Sequence, residues 1–158
     1  MNAVTALRWQ DGALHLLDQR RLPAEQTWLR CASAGDVADA IRAMVVRGAP
    51  AIGIAAAYGV ALAARAAFAA AGDGWREAIA ADLARLRNAR PTAVNLAWAL
   101  DRMGRRFGDI AGDPEPALLA AARAIHDEDV AANRAMASHG AALIAPASRV
   151  LTHCNTGA

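Results

Sequence analysis

Three short segments hold residue types that could do chemistry together: Arg47-Gly48-Ala49-Pro50, Arg90-Pro91-Thr92-Ala93-Val94-Asn95 and His153-Cys154-Asn155-Thr156-Gly157. In the first, proline suits the opening turn of a helix. A helix start presents free N–H groups and a partial positive charge, which attract anions. Gly48 would let the backbone approach a ligand, and Arg47 could fork onto a phosphate or carboxylate. The second segment sets another arginine before another helix start, with Thr92 available as a cap. Each alone also reads as a loop glycine or a capping turn beside a solvated arginine. In the third, a cysteine follows an apolar stretch and enters a glycine turn. That is where open α/β sheets bind ligands and where a helix end lowers a thiol's pKa; a buried structural cysteine is the alternative. His126, His139, His153 and Cys154 lack the spacing of a zinc site, so no metal is expected. Asp127-Glu128-Asp129 reads as a solvated acidic run, and Asp129 and Asn133 are placed to hydrogen-bond across one helix turn.

These segments need a scaffold. Val4 to Trp9 and Ala13 to Leu17 flank Asp11-Gly12, a hairpin signal, and Thr27 to Cys31 supplies a third strand. Ser33 caps a helix with Val37, Ile41, Met44 and Val45 on one face. A second helix runs from Pro50 to about Ala71 and stops at Gly72-Asp73-Gly74. Gly53 and Gly59 inside it permit close backbone approach. A third carries Trp75, Ile79, Leu83 and Leu86. A fourth, from about Thr92, carries Leu96, Leu100, Met103 and Phe107, with Val94 and Trp98 widening its apolar face. A long helix spans Glu115 to Leu143, with Asn133 and His139 either facing the site or lying on polar surface. Core packing is expected for Trp9, Trp28, Trp75 and Trp98. Ser148 to His153 reads as a strand, and with the turn after it as the opening of a βαβ unit. The expected fold is therefore α+β: a small three-stranded antiparallel sheet plus a helical bundle over residues 1–146. Residues 147–158 would be the first strand and turn of a truncated Rossmann-like α/β domain.

Composition excludes several functions. All 17 basic residues are arginine, so there is no lysine for a Schiff base or a Walker-type phosphate loop. A net charge of +2, with arginines scattered, does not indicate nucleic acid. Cys31 and Cys154 are too few for a secreted disulfide scaffold, and the N-terminus lacks a signal-peptide layout. No charge occurs between Arg47 and Arg65, but that run is mostly alanine and glycine, which fits a buried helix better than a membrane span. A soluble, cytoplasmic protein is expected.

Together and in this order, Val45-Val46-Arg47-Gly48-Ala49-Pro50-Ala51-Ile52-Gly53, Arg90 to Leu96 and Leu151 to Ala158 resemble the methylthioribose-1-phosphate isomerase family. That family belongs to a larger group with regulatory subunits of translation initiation factor 2B and ribose-1,5-bisphosphate isomerases. The resemblance implies an N-terminal sheet-plus-helices domain followed by a Rossmann-like one, with this chain ending just past the catalytic cysteine. It implies that Arg47, Gly48, Ala49 and Arg90 hold the substrate, chiefly its phosphate, and that Cys154 is the catalytic thiol. The family's acid/base aspartate would lie beyond Ala158. The implied reaction is the aldose–ketose isomerisation of S-methyl-5-thioribose 1-phosphate in methionine salvage. No cofactor, metal, nucleic acid or membrane is implied; the partner is a small sugar phosphate, and the full-length protein would be a homodimer. A non-catalytic regulatory subunit or a ribose-1,5-bisphosphate isomerase is the competing expectation. Residues 1–158 alone are expected to be inactive and poorly soluble.

Overall fold

In the computed structural model, residues 5–153 are described. Strands Leu7–Gln10 (β1), Ala13–Leu17 (β2) and Trp28–Cys31 (β3) form an antiparallel sheet in the order β1-β2-β3. Asp11 and Gly12 take φ of 50° and 67°, the pair of positive values that lets a two-residue turn follow the strand twist. The register sets Leu7 opposite Leu16 and Leu14 opposite Cys31. One face therefore carries Leu7, Leu14, Leu16 and Cys31, and all four belong to the core.

Helix α1 (Ala34–Arg42) begins as expected. Ser33 Oγ accepts from the Asp36 N–H at 3.1 Å, and Asp36 accepts from the Ser33 N–H at 3.0 Å, a reciprocal cap that satisfies two orphan donors. Val37, Ile41 and Val45 are buried, but Met44 is 40% exposed. The helix ends before it, and a φ of 59° at Met44 swings its side chain outward while Val45 returns to the core.

Helix α2 (Ala49–Ala71) is the axis of the fold. Every residue from Ile52 to Ala64 is buried. By length and apolarity it could cross a membrane, yet 78% of its most apolar window is buried inside the fold. A helix apolar all round is a core helix when others surround it, and α5 (Val94–Gly104) and α6 (Glu115–Ala141) pack along it. The glycines do what their positions suggested. A Cβ on Gly53 would lie 2.7 Å from the Asn95 carbonyl oxygen, and one on Gly59 would meet Leu86 at 2.9 Å. Arg65, midway along α2, donates to the Gly12 carbonyl at 2.8 Å and to Glu115 at 3.1 Å, tying the hairpin turn to the start of α6.

The third expected helix is two short ones, α3 (Trp75–Ala78) and α4 (Ala80–Arg87), with Trp75, Ile79 and Leu86 buried and Leu83 half-buried. In α5, Leu96, Leu100 and Met103 are buried, whereas Val94 is 78% and Trp98 47% exposed. The latter two, four residues apart, lie on a flank turned away from the Leu96–Leu100–Met103 face, so they do not widen the core. Phe107 lies beyond α5 and packs edge-on to Trp75 with centroids 5.1 Å apart. Of the other tryptophans, Trp9 stacks on Tyr58 at 5.5 Å and Trp28 lies half-buried beneath the Arg8 guanidinium. In α6, Leu118, Ala122 and Ile125 are buried, while 131–139 are exposed, Asn133 and His139 among them. The strand expected at Ser148 to His153 is not formed: these residues pair in no ladder and are exposed. A strand needs a neighbour for its backbone groups, and the described residues supply none there.

Candidate functional site

Two chain entries meet at one end of α2. Gly48, the N-cap of α2, has φ 92° and ψ 131°, a conformation L side chains rarely adopt. It turns the chain so that Ala49 and Pro50 form the first helical turn. Pro50 has no N–H to lose, and the N–H groups of Ala49 and Ala51 have no carbonyl four residues upstream within the helix. At the second entry the Ala93 N–H donates to the Arg90 carbonyl at 3.0 Å. This closes a turn with Pro91 at its favoured second position. Helix α5 then starts without a side-chain cap; Thr92 is exposed and does not serve as one. The backbone supplies the turn instead.

The Gly53–Asn95 contact brings these two starts side by side. Gly53 is four residues into α2, about 6 Å along its axis, and Asn95 is the second residue of α5. Arg47 is exposed and Arg90 half-buried, and neither guanidinium has a hydrogen bond or ion pair among the described residues. Gly48, Ala49, Arg47 and Arg90 thus belong to adjoining helix entries. Cys154 lies outside the described residues.

Between these starts and α6 lies a cleft of about 400 Å³. Pro50, Gly53 and Asn95 form the end nearest the helix starts. Ile54, Val94, Trp98, Ile125, Glu128 and Asp129 line the remainder. Arg102 holds Glu128 through two hydrogen bonds of 2.6 Å, and that pairing keeps the Glu128 carboxyl below the ordinary carboxylate range. The same guanidinium stands 5.4 Å over the Trp98 ring, fixing it by cation–π attraction. Asp129 accepts from Asn133 Nδ2 at 3.1 Å and has no cationic partner among the described residues. The acidic run is therefore not simply solvated surface. Trp98, Val94 and Ile54 escaped the sequence reading because apolar residues at helical spacing look like core. The available signal was the excessive apolar arc of α5, wider than one buried face requires. A second depression, of about 440 Å³, sits around Arg87 and Asp101 toward the other end of α5, away from both helix starts.

No three His, Cys, Asp or Glu side chains gather as a metal site among the described residues. Cys31 is fully buried, and burial, reinforced by the charge of Asp36, pushes its thiol up to about 12. The thiolate is the nucleophile, so Cys31 is expected to stay unalkylated by iodoacetamide at pH 8 until the fold is opened with denaturant. Peptide mapping checks this, and prompt labelling of Cys31 in the native protein would contradict its burial.

The profile of the Initiation factor 2 subunit family matches residues 45–158. Methylthioribose-1-phosphate isomerase from Alkalilimnicola ehrlichii is 65% identical over 156 residues, covering 99% of this chain and 45% of the relative. The enzyme of the same name from Methylococcus capsulatus is 57% identical over 158 residues, 100% of this chain and 45% of its own. Among solved structures, 5-methylthioribose 1-phosphate isomerase from Pyrococcus horikoshii OT3 superposes with a TM-score of 0.83 at 34% identity, over 91% of this chain and 42% of that one. The translation initiation factor eIF-2B subunit delta from A. fulgidus superposes with a TM-score of 0.80 at 35% identity, over 90% of this chain and 42% of that one. The chain spans less than half the length of the relatives it matches.

Proposed function

The chain belongs to the Initiation factor 2 subunit family, and from that premise we propose that it forms the N-terminal part of an isomerase converting S-methyl-5-thioribose 1-phosphate to S-methyl-5-thioribulose 1-phosphate. The observation that carries the reading is 65% identity across 99% of the chain to a methylthioribose-1-phosphate isomerase. Fold alone does not choose between enzyme and regulatory subunit, because the isomerase and initiation-factor structures superpose almost equally well.

In this reading the two adjoining helix starts receive the phosphate. Gly48 and Ala49 offer backbone N–H groups, and Arg47 and Arg90 offer guanidinium forks. The phosphate sits on the anomeric carbon and blocks the free aldehyde, so the ring must open before hydrogen moves. The ring oxygen takes up a proton, the hydrogen on C2 is transferred to C1, and the C2 hydroxyl gives up its proton to become the ketone. Nothing is gained or lost overall. Cys154 is the thiol assigned to assist that transfer, in a Rossmann-like part that opens around residue 147. We place the complete protein in the cytoplasm as a homodimer, and the reaction in methionine salvage.

The test is turnover of methylthioribose 1-phosphate by the complete protein. Arg47→Ala and Arg90→Ala are each expected to lower kcat/KM about 10- to 100-fold, the worth of one charged hydrogen-bonding group. Lysine at either position should restore only part of this, since it keeps the charge but not the fork. Unchanged kcat/KM in both alanine variants would remove the phosphate assignment. Absence of any turnover by the wild type would favour the regulatory reading, which the superposition on the initiation-factor subunit supports.

A further inference from the structure

We propose that the cleft beside the two helix starts is a specificity subsite: it accepts an apolar 5-substituent on a sugar 1-phosphate and rejects a 5-phosphate. The inference rests on the isomerase reading above and names which substrate that site prefers.

The cleft is chemically polarised. Its near end is formed by the opening turns of α2 and α5, where unpaired N–H groups favour an anion. Its walls are Ile54, Val94, Trp98 and Ile125, and its far side carries Glu128 and Asp129. Val94 and Trp98 are 78% and 47% exposed, unusual for large apolar residues on the flank of a helix whose other face is core. The Trp98 ring is not free to swing away: Arg102 stands over it and is itself gripped by Glu128. That pairing neutralises Glu128, leaving Asp129 as the uncompensated charge. A second phosphate placed there would meet a carboxylate and an aromatic face and no described cation. A thioether meets an aromatic ring and aliphatic walls, contacts that sulfur favours. An apolar pocket separates ligands differing by a methyl group about 10- to 200-fold, and a misplaced charge adds to that.

The experiment measures kcat/KM of the complete protein for methylthioribose 1-phosphate and for ribose 1,5-bisphosphate, and follows their ratio. The wild type should favour the thioether by about 100-fold or more. Val94→Arg sets a cation on an already exposed wall and should lower the ratio at least about tenfold; Asp129→Asn should lower it about tenfold by removing the repulsion. Trp98→Ala should lower it through loss of the thioether alone. Circular dichroism establishes that each variant is folded, and Val94→Arg decides if Trp98→Ala is not. A wild type that turns over methylthioribose 1-phosphate, with Val94→Arg and Asp129→Asn both leaving the ratio within twofold, overturns the subsite and leaves the isomerase reading standing. A wild type preferring the bisphosphate does the same. A wild type active on neither sugar overturns both.

Discussion

Gly53→Val is expected to lower the free energy of unfolding by about 3 kcal/mol, the upper range for overpacking a well-filled interior. For a chain of this size that is a fall in melting temperature of roughly 10 °C. Even a single Cβ at Gly53 would lie 2.7 Å from the Asn95 carbonyl oxygen and 3.2 Å from its carbon. These are backbone atoms near the start of α5, so no side chain can rotate out of the way; the helices must separate. Gly53→Ala should cost less, about 1–2 kcal/mol, because alanine recovers about 1 kcal/mol of helix propensity. Gly104 is the control. It too is helical, but a Cβ there meets nothing within 4 Å, so Gly104→Ala should be neutral or slightly stabilising. Thermal denaturation followed by circular dichroism separates the two positions. If Gly53→Val melts with Gly104→Ala, the helices are not as close as described. Separating them would also pull the Arg90 entry away from the Gly48 entry, so activity should fall further than stability requires.

Cys154→Ser in the complete protein should reduce kcat about 10³-fold, the scale of a lost proton-transfer group, with the dissociation constant for substrate nearly unchanged. The oxygen occupies the sulfur's place but a hydroxyl ionises several units higher, so it cannot take the same part in proton movement. Binding is expected to survive because the phosphate is assigned to Arg47, Arg90 and backbone N–H groups, none of which the substitution touches. Stopped-flow or calorimetric binding beside steady-state turnover makes the comparison. A Cys154→Ser protein with full kcat would end the assignment of this thiol to chemistry. Because Cys31 is buried and its thiol is raised to about 12, Cys31→Ser is no substitute for this test; its effect would be on folding.

What could be read from residues alone was mostly what short-range physics decides. Ser33 with Asp36 announced a cap, Pro50 and Gly72 bracketed α2, and Asp11-Gly12 announced the hairpin; each is governed by atoms within four residues of itself. Gly53 was legible as a place of close approach, although its neighbour, Asn95, was not. The failures came from questions of orientation. Met44 and Trp98 are apolar and correctly spaced for their helix faces, yet a left-handed residue at the end of α1 and the rotation of α5 about its axis turned them outward. Ser148 to His153 has the composition of a strand, but strand formation depends on a neighbour that composition cannot supply. The cleft combined both difficulties: its walls come from three helices separated in sequence, and its apolar members resemble core until their burial is known. Of the site, the two arginine-bearing helix starts were apparent as motifs, while their adjacency depended on a glycine contact between α2 and α5.

The long final helix has an uneven energetic footing. Up to Ile125 it is held by burial against α2, while residues 131–139 face solvent throughout. That outer half keeps its shape through alanine's backbone preference and one local bond from Asn133 to the Asp129 carbonyl. It can therefore fray and re-form without disturbing the rest of the molecule. Opening would spread from Ala141 inward and stop where Ile125 is anchored, making α6 one helix in geometry but two cooperative units in folding.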